Sequence, residues 1–270
     1  SREACNEYYD KLPQIVQQAM DEFAQHTGRQ YHIFDYVGNT LAENIFICMG
    51  SGCETIELAN SVNDTTLSGL LKIHLFQPFH VDTFYSLLPK TTKRIAVLDR
   101  TKEPGAVGEP LYVQCVSAIV EKSSDKKLDT LPKIIGVRYG LSSKEFTPSM
   151  VNAIRSQMFG DSQKKHFTIG INDDVTASSI AYNDNDNDEP SDSYCAIFFG
   201  LGSDGTVGAN KNTLKIIGES TGQYVQGYFV YDSKKSGSKT VSHLRFSKKC
   251  INAAYLIRKA QFVGCHYNEF

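Results

Sequence analysis

The stretch IFICMGSGCETIELANS, which runs from Ile45 to Ser61, contains a strand, a tight turn and a helix in that order. Its first five residues, Ile45 to Met49, are apolar and rich in strand-forming types, and the run Glu54–Ser61 has helical composition. Two glycines between them favour a sharp turn. Because the strand is apolar throughout, it is expected to be buried on both faces, as in a parallel sheet covered by helices.

The same alternation continues along the chain and predicts an α/β domain. Further strands are predicted at Leu70–Phe76, Arg94–Leu98, Ile134–Arg138 and Phe167–Ile171. Further helices are predicted at Val81–Leu88, Leu111–Val120 and Pro148–Met158. An additional helix with one apolar face precedes them, from about Leu12 to Ala24, with Pro13 in its first turn and Gly28 as its C-cap.

A polar stretch separates this block from a second one. Tyr182–Ser193 reads YNDNDNDEPSDS and has no aliphatic residue, so it is expected to form a flexible insert or linker. A calcium loop is the alternative, although the pattern lacks the turn glycine and the closing glutamate. Beyond it, strands are predicted at Tyr194–Phe199, Gly227–Tyr231 and Thr240–Phe246, with a helix at about Asn212–Ser220. The prediction is therefore two consecutive α/β domains.

Composition argues against several classes of protein. A formal net charge of -2 provides no basic stripe for nucleic acid. Seven cysteines without a C-x-x-C pair and scattered histidines favour a reducing compartment and no metal site. Neither a signal peptide nor an apolar run long enough to span a membrane is present. The polar start without methionine and the end beside an apolar stretch suggest a segment cut from a longer chain.

The glycine-rich stretch Gly200–Asn212, GLGSDGTVGANKN, is the strongest candidate for a ligand site. Gly200, Gly202 and Gly205 follow an apolar strand and precede a helix, the context in which G-x-G-x-x-G holds a phosphate on backbone amides at a helix N-terminus. A plain strand-to-helix turn is the alternative. A P-loop and a nucleophile elbow are excluded, since no G-K-[ST] follows and Leu201 replaces the first glycine of G-x-S-x-G.

Two other loops follow predicted strands. The turn Asp232–Gly237, DSKKSG, could face the glycine turn across a crevice and provide a lysine to a phosphate, although the run taken alone favours an exposed polar turn. Asp99–Pro110, DRTKEPGAVGEP, could form a site at the sheet edge or a packing loop held by ion pairs. No catalytic residue can be assigned from spacing.

Several long strings resemble the pyruvate:ferredoxin (flavodoxin) oxidoreductase family and its NADP-coupled relatives. They are MGSGCET at Met49–Thr55, LDRTKEPGAVGEPLY at Leu98–Tyr112, FGLGSDGTVGANKNTLKIIG at Phe199–Gly218, YFVYDSKKSG at Tyr228–Gly237 and SHLRF at Ser242–Phe246. HLFQPF at His74–Phe79 and TGRQYHIFDYVG at Thr27–Gly38 extend the likeness over nearly the whole chain. The chain departs from the family pattern in the acidic stretch Tyr182–Ser193, and at Ser238 and Lys239, which directly follow the turn Asp232–Gly237.

The resemblance implies a domain organisation and a cofactor site. Residues 1–41 would be the tail of a thiamine-pyrimidine domain, 42–160 a transketolase C-terminal-like domain with a mostly parallel sheet, and 161–270 the start of a coenzyme A-binding domain. The residues implied to bind coenzyme A are Gly202, Ser203, Asp204, Gly205, Thr206 and Lys234. Further coenzyme A contacts would lie beyond Phe270.

The implied activity is oxidative decarboxylation of pyruvate to acetyl-CoA. Thiamine diphosphate, Mg²⁺ and iron–sulfur clusters would be bound outside this segment, which would be inactive alone. Implied partners are ferredoxin or flavodoxin, or a fused NADP-reductase domain, together with the remaining domains of the same chain and a second copy in a homodimer. The cytoplasm is the expected location, with a hydrogenosome or mitochondrion-related organelle as the alternative. A degenerate non-catalytic domain, as in some sulfite reductase subunits, and a stand-alone nucleotide-binding module are the rival hypotheses.

Overall fold

Two structural units follow one another along the chain. The computed structural model describes residues 2–63, 68–125, 128, 130–160, 164–171, 175–183, 189–232 and 237–270. Contacts divide the chain into residues 1–186 and 187–270. The strands of each unit form one sheet, the first with six strands and the second with four.

The first unit alternates strands and helices as the apolar pattern predicts. Its strands are β1 Phe34–Gly38, β2 Asn44–Met49, β3 Ser68–Ile73, β4 Arg94–Asp99, β5 Lys133–Arg138 and β6 His166–Thr168. Its helices are α1 Asn6–Thr27, α2 Gly52–Asn63, α3 Val81–Leu87, α4 Pro110–Glu121 and α5 Pro148–Phe159. The strand order is β1-β3-β2-β4-β5-β6, and every neighbouring pair is parallel except β1 with β3. The predicted α/β class and the mostly parallel first sheet are confirmed.

Helices cover both faces of this first sheet, so its strands are buried on both sides. In β2, Ile45 and Ile47 pack in one apolar layer, whereas Phe46 and Cys48 pack in the opposite layer. All four are fully buried. Burying an isoleucine or phenylalanine side chain stabilises a fold by roughly 1.5–3 kcal/mol, which explains why the central strands are apolar throughout.

Helix α1 begins earlier than predicted. It starts at Asn6 and continues through Pro13, so the proline lies within the helix instead of in its first turn. The predicted start is wrong because the hydrogen bond lost at Pro13 does not prevent the residues before it from being helical. The predicted C-cap is confirmed, since Gly28 has a φ of 71° and its N–H donates to the Ala24 carbonyl at 2.7 Å.

The second unit has a mixed sheet with a helix on one face. Its elements are β7 Ser193–Leu201, α6 Thr206–Thr221, β8 Tyr224–Tyr231, β9 Lys239–Ser247 and β10 Phe262–Cys265. The strand order is β10-β7-β9-β8, in which β9 is antiparallel to both neighbours and β10 is parallel to β7. The crevice was predicted from a parallel sheet with neighbouring strands, yet β9 lies between β7 and β8. Those two strands still run in the same direction, so their carboxyl ends lie at one edge of the sheet.

A buried arginine holds the segment after β9 against the second sheet. Arg245 is 2% exposed and forms a two-bond ion pair with Glu189, with both N–O distances at 3.0 Å. Its guanidinium also donates to the carbonyl of Tyr255 at 2.8 Å and to the Gln226 side chain at 2.9 Å. Every charged atom is therefore paired, as a buried arginine requires.

Some predictions on organisation are not tested by this architecture. The division at residues 41 and 160 stays a prediction, and the contacts place the boundary of the first unit at residue 186. In the acidic stretch, residues 184–188 lie outside the described residues, so the linker and the calcium alternative stay untested.

Candidate functional site

The turn between β7 and α6 has the backbone shape that its glycines suggest. Ser203 and Gly205 lie in the left-handed region, with φ of 72° and 88°, and Gly205 is the N-cap of α6. Gly200 is required by packing, because a Cβ atom there would lie 2.6 Å from Thr206 Oγ1 and 2.8 Å from Asp204 Oδ2. At residue 200 the turn therefore needs glycine, because the side chains of Thr206 and Asp204 approach the backbone closely there. At residue 205 it needs a positive φ.

Asp204 organises this turn from within. Its carboxylate accepts the N–H of Leu201 at 2.7 Å and the N–H of Thr206 at 2.8 Å. Desolvation raises the pKa of Asp204, but the hydrogen bonds from Thr206 and Leu201 outweigh it, so the pKa lies below its usual value. The carboxylate thus stays ionised and occupies part of the positive end of the helix.

The turn has fewer amides available to an anion than the glycine pattern suggests. Besides the two amides bound by Asp204, the Gly202 N–H donates to the Ser238 carbonyl at 2.7 Å. The Asp204 N–H donates to the Leu201 carbonyl at 3.1 Å. In the described ranges, the amides of Ser203 and Gly205 have no acceptor from the chain. These two amides are the available donors of the predicted cradle.

A pocket of about 430 Å³ opens beside the turn, at the shared carboxyl edge of β7 and β8. Its walls come from the glycine turn, the start of α6, the end of β8 and the start of β9. The lining residues are Leu201, Gly202, Ser203, Asp204, Gly205, Val207, Gly208, Tyr231, Asp232, Ser238 and Thr240. Four predicted site residues, Gly202 to Gly205, are thus brought together around one cavity.

The two remaining predicted residues are Thr206 and Lys234. Thr206 is buried at the N-terminus of α6, and its hydroxyl lies 2.7 Å from Nδ1 of His266, which follows β10. Its side chain is therefore held by the protein itself. Lys234 lies outside the described residues, as do its neighbours at 233, 235 and 236.

Sequence reasoning missed the far wall of the pocket. Tyr231, Ser238 and Thr240 line it, but they were not predicted as site residues because strand pairing alone brings them opposite the turn. The weak signal was polar Thr240 and Ser242 at alternating positions of β9, on the same face as apolar Leu244 and Phe246, which pack against α6.

The Asp99–Pro110 loop is held by internal contacts. The Asp99 carboxylate accepts the N–H groups of Leu111 and Tyr112 at 2.9 and 3.0 Å, which caps α4. Burial raises the pKa of Asp99 against these hydrogen bonds, and nearby Glu109 raises it further. Glu109 is buried and pairs with Arg138 at 3.3 Å and with Lys102 at 3.7 Å. The packing-loop alternative agrees with this geometry.

The MGSGCET turn is also part of the core. A Cβ atom at Gly52 would lie 2.5 Å from Tyr139 Oη, so this position requires glycine. Tyr139 Oη in turn lies 3.3 Å from the buried sulfur of Cys48. This arrangement accounts for the turn by packing.

Two further observations concern the described part of the chain only. It contains no group of three or more His, Cys, Asp or Glu side chains placed to hold a metal ion. None of its helices combines the length and the apolar character needed to cross a bilayer.

The fold and the pocket are those of an α/β protein with a cavity at a strand–glycine turn–helix unit. The family model described as pyruvate ferredoxin/flavodoxin oxidoreductase matches residues 195–270, which contain that unit. The predicted resemblance is thereby placed on the second unit.

Curated relatives extend the similarity over the whole chain. The chain is 56% identical over 274 residues to the pyruvate-flavodoxin oxidoreductase of Trichormus variabilis, covering 100% of this chain and 23% of that protein. It is 50% identical over 268 residues to the pyruvate:ferredoxin oxidoreductase of Moorella thermoacetica, covering 98% and 22%. With the pyruvate dehydrogenase [NADP(+)] of Cryptosporidium parvum it shares 46% over 276 residues, covering 99% and 14%.

The chain belongs to the pyruvate ferredoxin/flavodoxin oxidoreductase family. It spans less than a quarter of the length of these three relatives. The degenerate-domain hypothesis is not favoured, since the relatives that match the whole chain are named as pyruvate oxidoreductases.

Proposed function

We propose that this chain supplies part of the coenzyme A site of an enzyme that oxidatively decarboxylates pyruvate to acetyl-CoA. The observation that supports this most is the pocket at the glycine turn, which lies inside the segment matched by the family model. Thiamine diphosphate, Mg²⁺ and iron–sulfur clusters would be bound by other parts of the enzyme. Electrons would pass to ferredoxin, to flavodoxin or to a fused NADP-reductase domain. The parent enzyme would be a cytoplasmic homodimer.

The mouth of the pocket has donors that suit a diphosphate. The Ser203 and Gly205 amides lie at the N-terminus of α6, where the helix dipole favours an anion. The ligand's phosphates would accept these N–H groups, and the Ser203 hydroxyl could donate a further hydrogen bond.

Two carboxylates oppose that anion, so a nearby cation would favour its binding. Asp204 and Asp232 both line the pocket. A pair of like charges about 4 Å apart repels by about 1 kcal/mol in water and by about 4 kcal/mol at an effective dielectric constant near 20. Lys234 follows Asp232 in the same turn and is the residue we assign to offset this repulsion.

Calorimetric titration of the 270-residue chain with coenzyme A tests the proposal. We expect saturable binding that Lys234→Ala weakens by at least about tenfold, since a charged hydrogen bond contributes roughly 1.5–3 kcal/mol. Lys215→Ala is the matched control, because Lys215 is exposed on α6 away from the pocket lining. Absence of binding by the folded wild-type chain, or equal loss in both variants, would contradict the proposal.

A further inference from the structure

Tyr231 presents an exposed aromatic ring to the pocket. It is the last residue of β8, it lines the cavity of about 430 Å³, and it is 58% exposed. Aromatic side chains usually bury most of their area in a core or at an interface. A ring left this exposed at the wall of a concave site is available to stack on a flat group of a ligand.

The sheet and helix α6 place this ring on the pocket side. Residues alternate between the two faces of a strand, so Tyr231 lies on the same face as Phe229, which packs against α6. Lys211 of α6 lies over the Phe229 ring, with Nζ 5.3 Å from the ring centre. Nearer the helix N-terminus, Val207 and Gly208 line the pocket together with Tyr231. A Cβ atom added at Gly208 would meet no other part of the chain within 4 Å, so the space beside this first turn is open.

The charge of the lining favours a neutral group inside the pocket. The described lining residues include the carboxylates of Asp204 and Asp232 and no basic side chain. A phosphate placed between these carboxylates would be repelled by both. The two available amides, those of Ser203 and Gly205, lie at the mouth beside the N-terminus of α6. The phosphates of a ligand are therefore best bound at the mouth, with a neutral part of the ligand inside the pocket.

Coenzyme A has a neutral part on each side of its diphosphate. One is the pantetheine arm, whose thiol must reach the thiamine diphosphate that the proposed function places in other parts of the enzyme. The other is the adenine base, which takes no part in acyl transfer and can stay bound. A flat base stacks on an exposed aromatic ring, and its edge carries both hydrogen-bond donors and acceptors. The pocket at Tyr231 thus suits the base, and the arm has to extend outward.

We propose that Tyr231 stacks on the adenine base of coenzyme A and makes this pocket a base subsite. This inference rests on the proposed function, in which the amides at the mouth bind the diphosphate. The base anchors the carrier in the pocket while the pantetheine arm extends from the mouth toward the remaining parts of the enzyme. Tyr231 is thereby the residue that distinguishes a nucleotide-bearing carrier from a diphosphate without a base.

Calorimetric titrations with pyrophosphate, ADP and coenzyme A test the subsite, because this series adds the base and then the arm to the same diphosphate. In the 270-residue chain, Tyr231→Ala should weaken ADP and coenzyme A binding by the same factor, about tenfold, the usual contribution of one stacked base. Affinity for pyrophosphate should not change. Tyr231→Phe should keep the wild-type affinities within about twofold, since the ring and not its hydroxyl stacks.

Tyr228→Ala is the matched control. Tyr228 belongs to the same strand and is also 58% exposed, but it pairs with His243 and lies on the face of the sheet away from α6. Both substitutions remove an equally exposed ring, so they should change Tm to a similar extent. Tyr228→Ala should leave the affinities for all three ligands unchanged.

A direct optical signal is available because the chain contains no tryptophan. Tyr231→Trp and Tyr228→Trp each introduce a single indole. A base stacked on an indole quenches its fluorescence. Saturating ADP should therefore lower the emission of Tyr231→Trp and leave that of Tyr228→Trp unchanged.

The outcomes separate the subsite from the proposed function. Unchanged ADP affinity in Tyr231→Ala, or an equal loss of pyrophosphate affinity, would overturn the base subsite and leave the coenzyme A proposal standing. Weaker coenzyme A binding with unchanged ADP binding would overturn the subsite as well, because another part of the ligand would then contact the ring. Binding of ADP that depends on Tyr231, in a chain that does not bind coenzyme A, would overturn the proposed function and leave the base subsite standing. If the folded wild type binds neither ADP nor coenzyme A, both proposals fail.

Discussion

At the scale of single residues, His243 shows how burial determines protonation in the second unit. It is 8% exposed, and its Nδ1 accepts the Ile257 N–H at 3.2 Å. Burial lowers the pKa of His243, the positive charge of Arg245 lowers it further, and the carboxylate of Glu189 opposes them. The ring is therefore neutral where an exposed histidine would begin to protonate.

This lowered pKa predicts a loss of stability at mildly acidic pH. At pH values below the ordinary histidine pKa of about 6.5, this side chain takes up a proton in the unfolded chain more readily than in the folded chain. The free energy of unfolding therefore falls as pH falls. His243→Gln should remove this part of the decline in urea denaturation measured between about pH 7 and pH 5. His26→Gln is the control, because His26 is exposed on α1. An identical slope in wild type and His243→Gln would contradict the assignment.

At the scale of an element, the start of α6 depends on Asp204 as well as on its glycines. The carboxylate joins the end of β7 to the first turn of the helix through Leu201 and Thr206. The sequence predicted a glycine turn here, and the turn is observed. It did not predict that the aspartate would occupy the amides of this turn, because that depends on a side-chain rotamer and a left-handed Ser203.

Replacing this carboxylate should therefore destabilise the second unit. We expect Asp204→Ala to lower the free energy of unfolding by about 1 kcal/mol, the usual contribution of such a cap. Because the pKa of Asp204 is lowered on folding, the difference from wild type should be complete above pH 3.8 and shrink as pH falls further.

Asp192→Ala is the control for Asp204. Its carboxylate pairs with exposed Lys249 at 3.0 Å, and exposed pairs contribute little. Equal effects of the two substitutions in urea denaturation would show that Asp204 does not organise the turn.

At the scale of the whole molecule, the described residues form a pocket at the glycine turn, and the curated relatives are several times longer than the chain. In the part that the structure describes, no three metal-binding side chains converge, as a cluster or a bound metal would require.

The isolated chain should bind coenzyme A without turning over pyruvate. Incubation with pyruvate, thiamine diphosphate, Mg²⁺ and coenzyme A should leave a viologen acceptor oxidised, while the full-length parent enzyme reduces it under the same conditions. Pyruvate-dependent reduction by the 270-residue chain would contradict the assignment of the redox centres to other segments.

The sequence alone determined most of the elements and the family. Apolar runs such as Ile45–Met49 can be stable only when buried on both faces, and this requirement predicted the parallel sheet before any contact was known. The missed strands β1 and β10 are short, so their pattern is weak, and pairing with β3 and β7 stabilises them. Long strings of matching residues identified the family, because agreement at so many positions does not arise by chance.

The tertiary structure alone decided which residues share the pocket. Thr240 and Ser238 come within reach of the glycine turn only because β9 inserts between β7 and β8. Whether an amide is available to a ligand also depends on which acceptor reaches it, as the Gly202 N–H and the Ser238 carbonyl show. Local propensity acts through neighbours in sequence, whereas hydrogen-bond partners and unpartnered atoms are set by packing between distant segments.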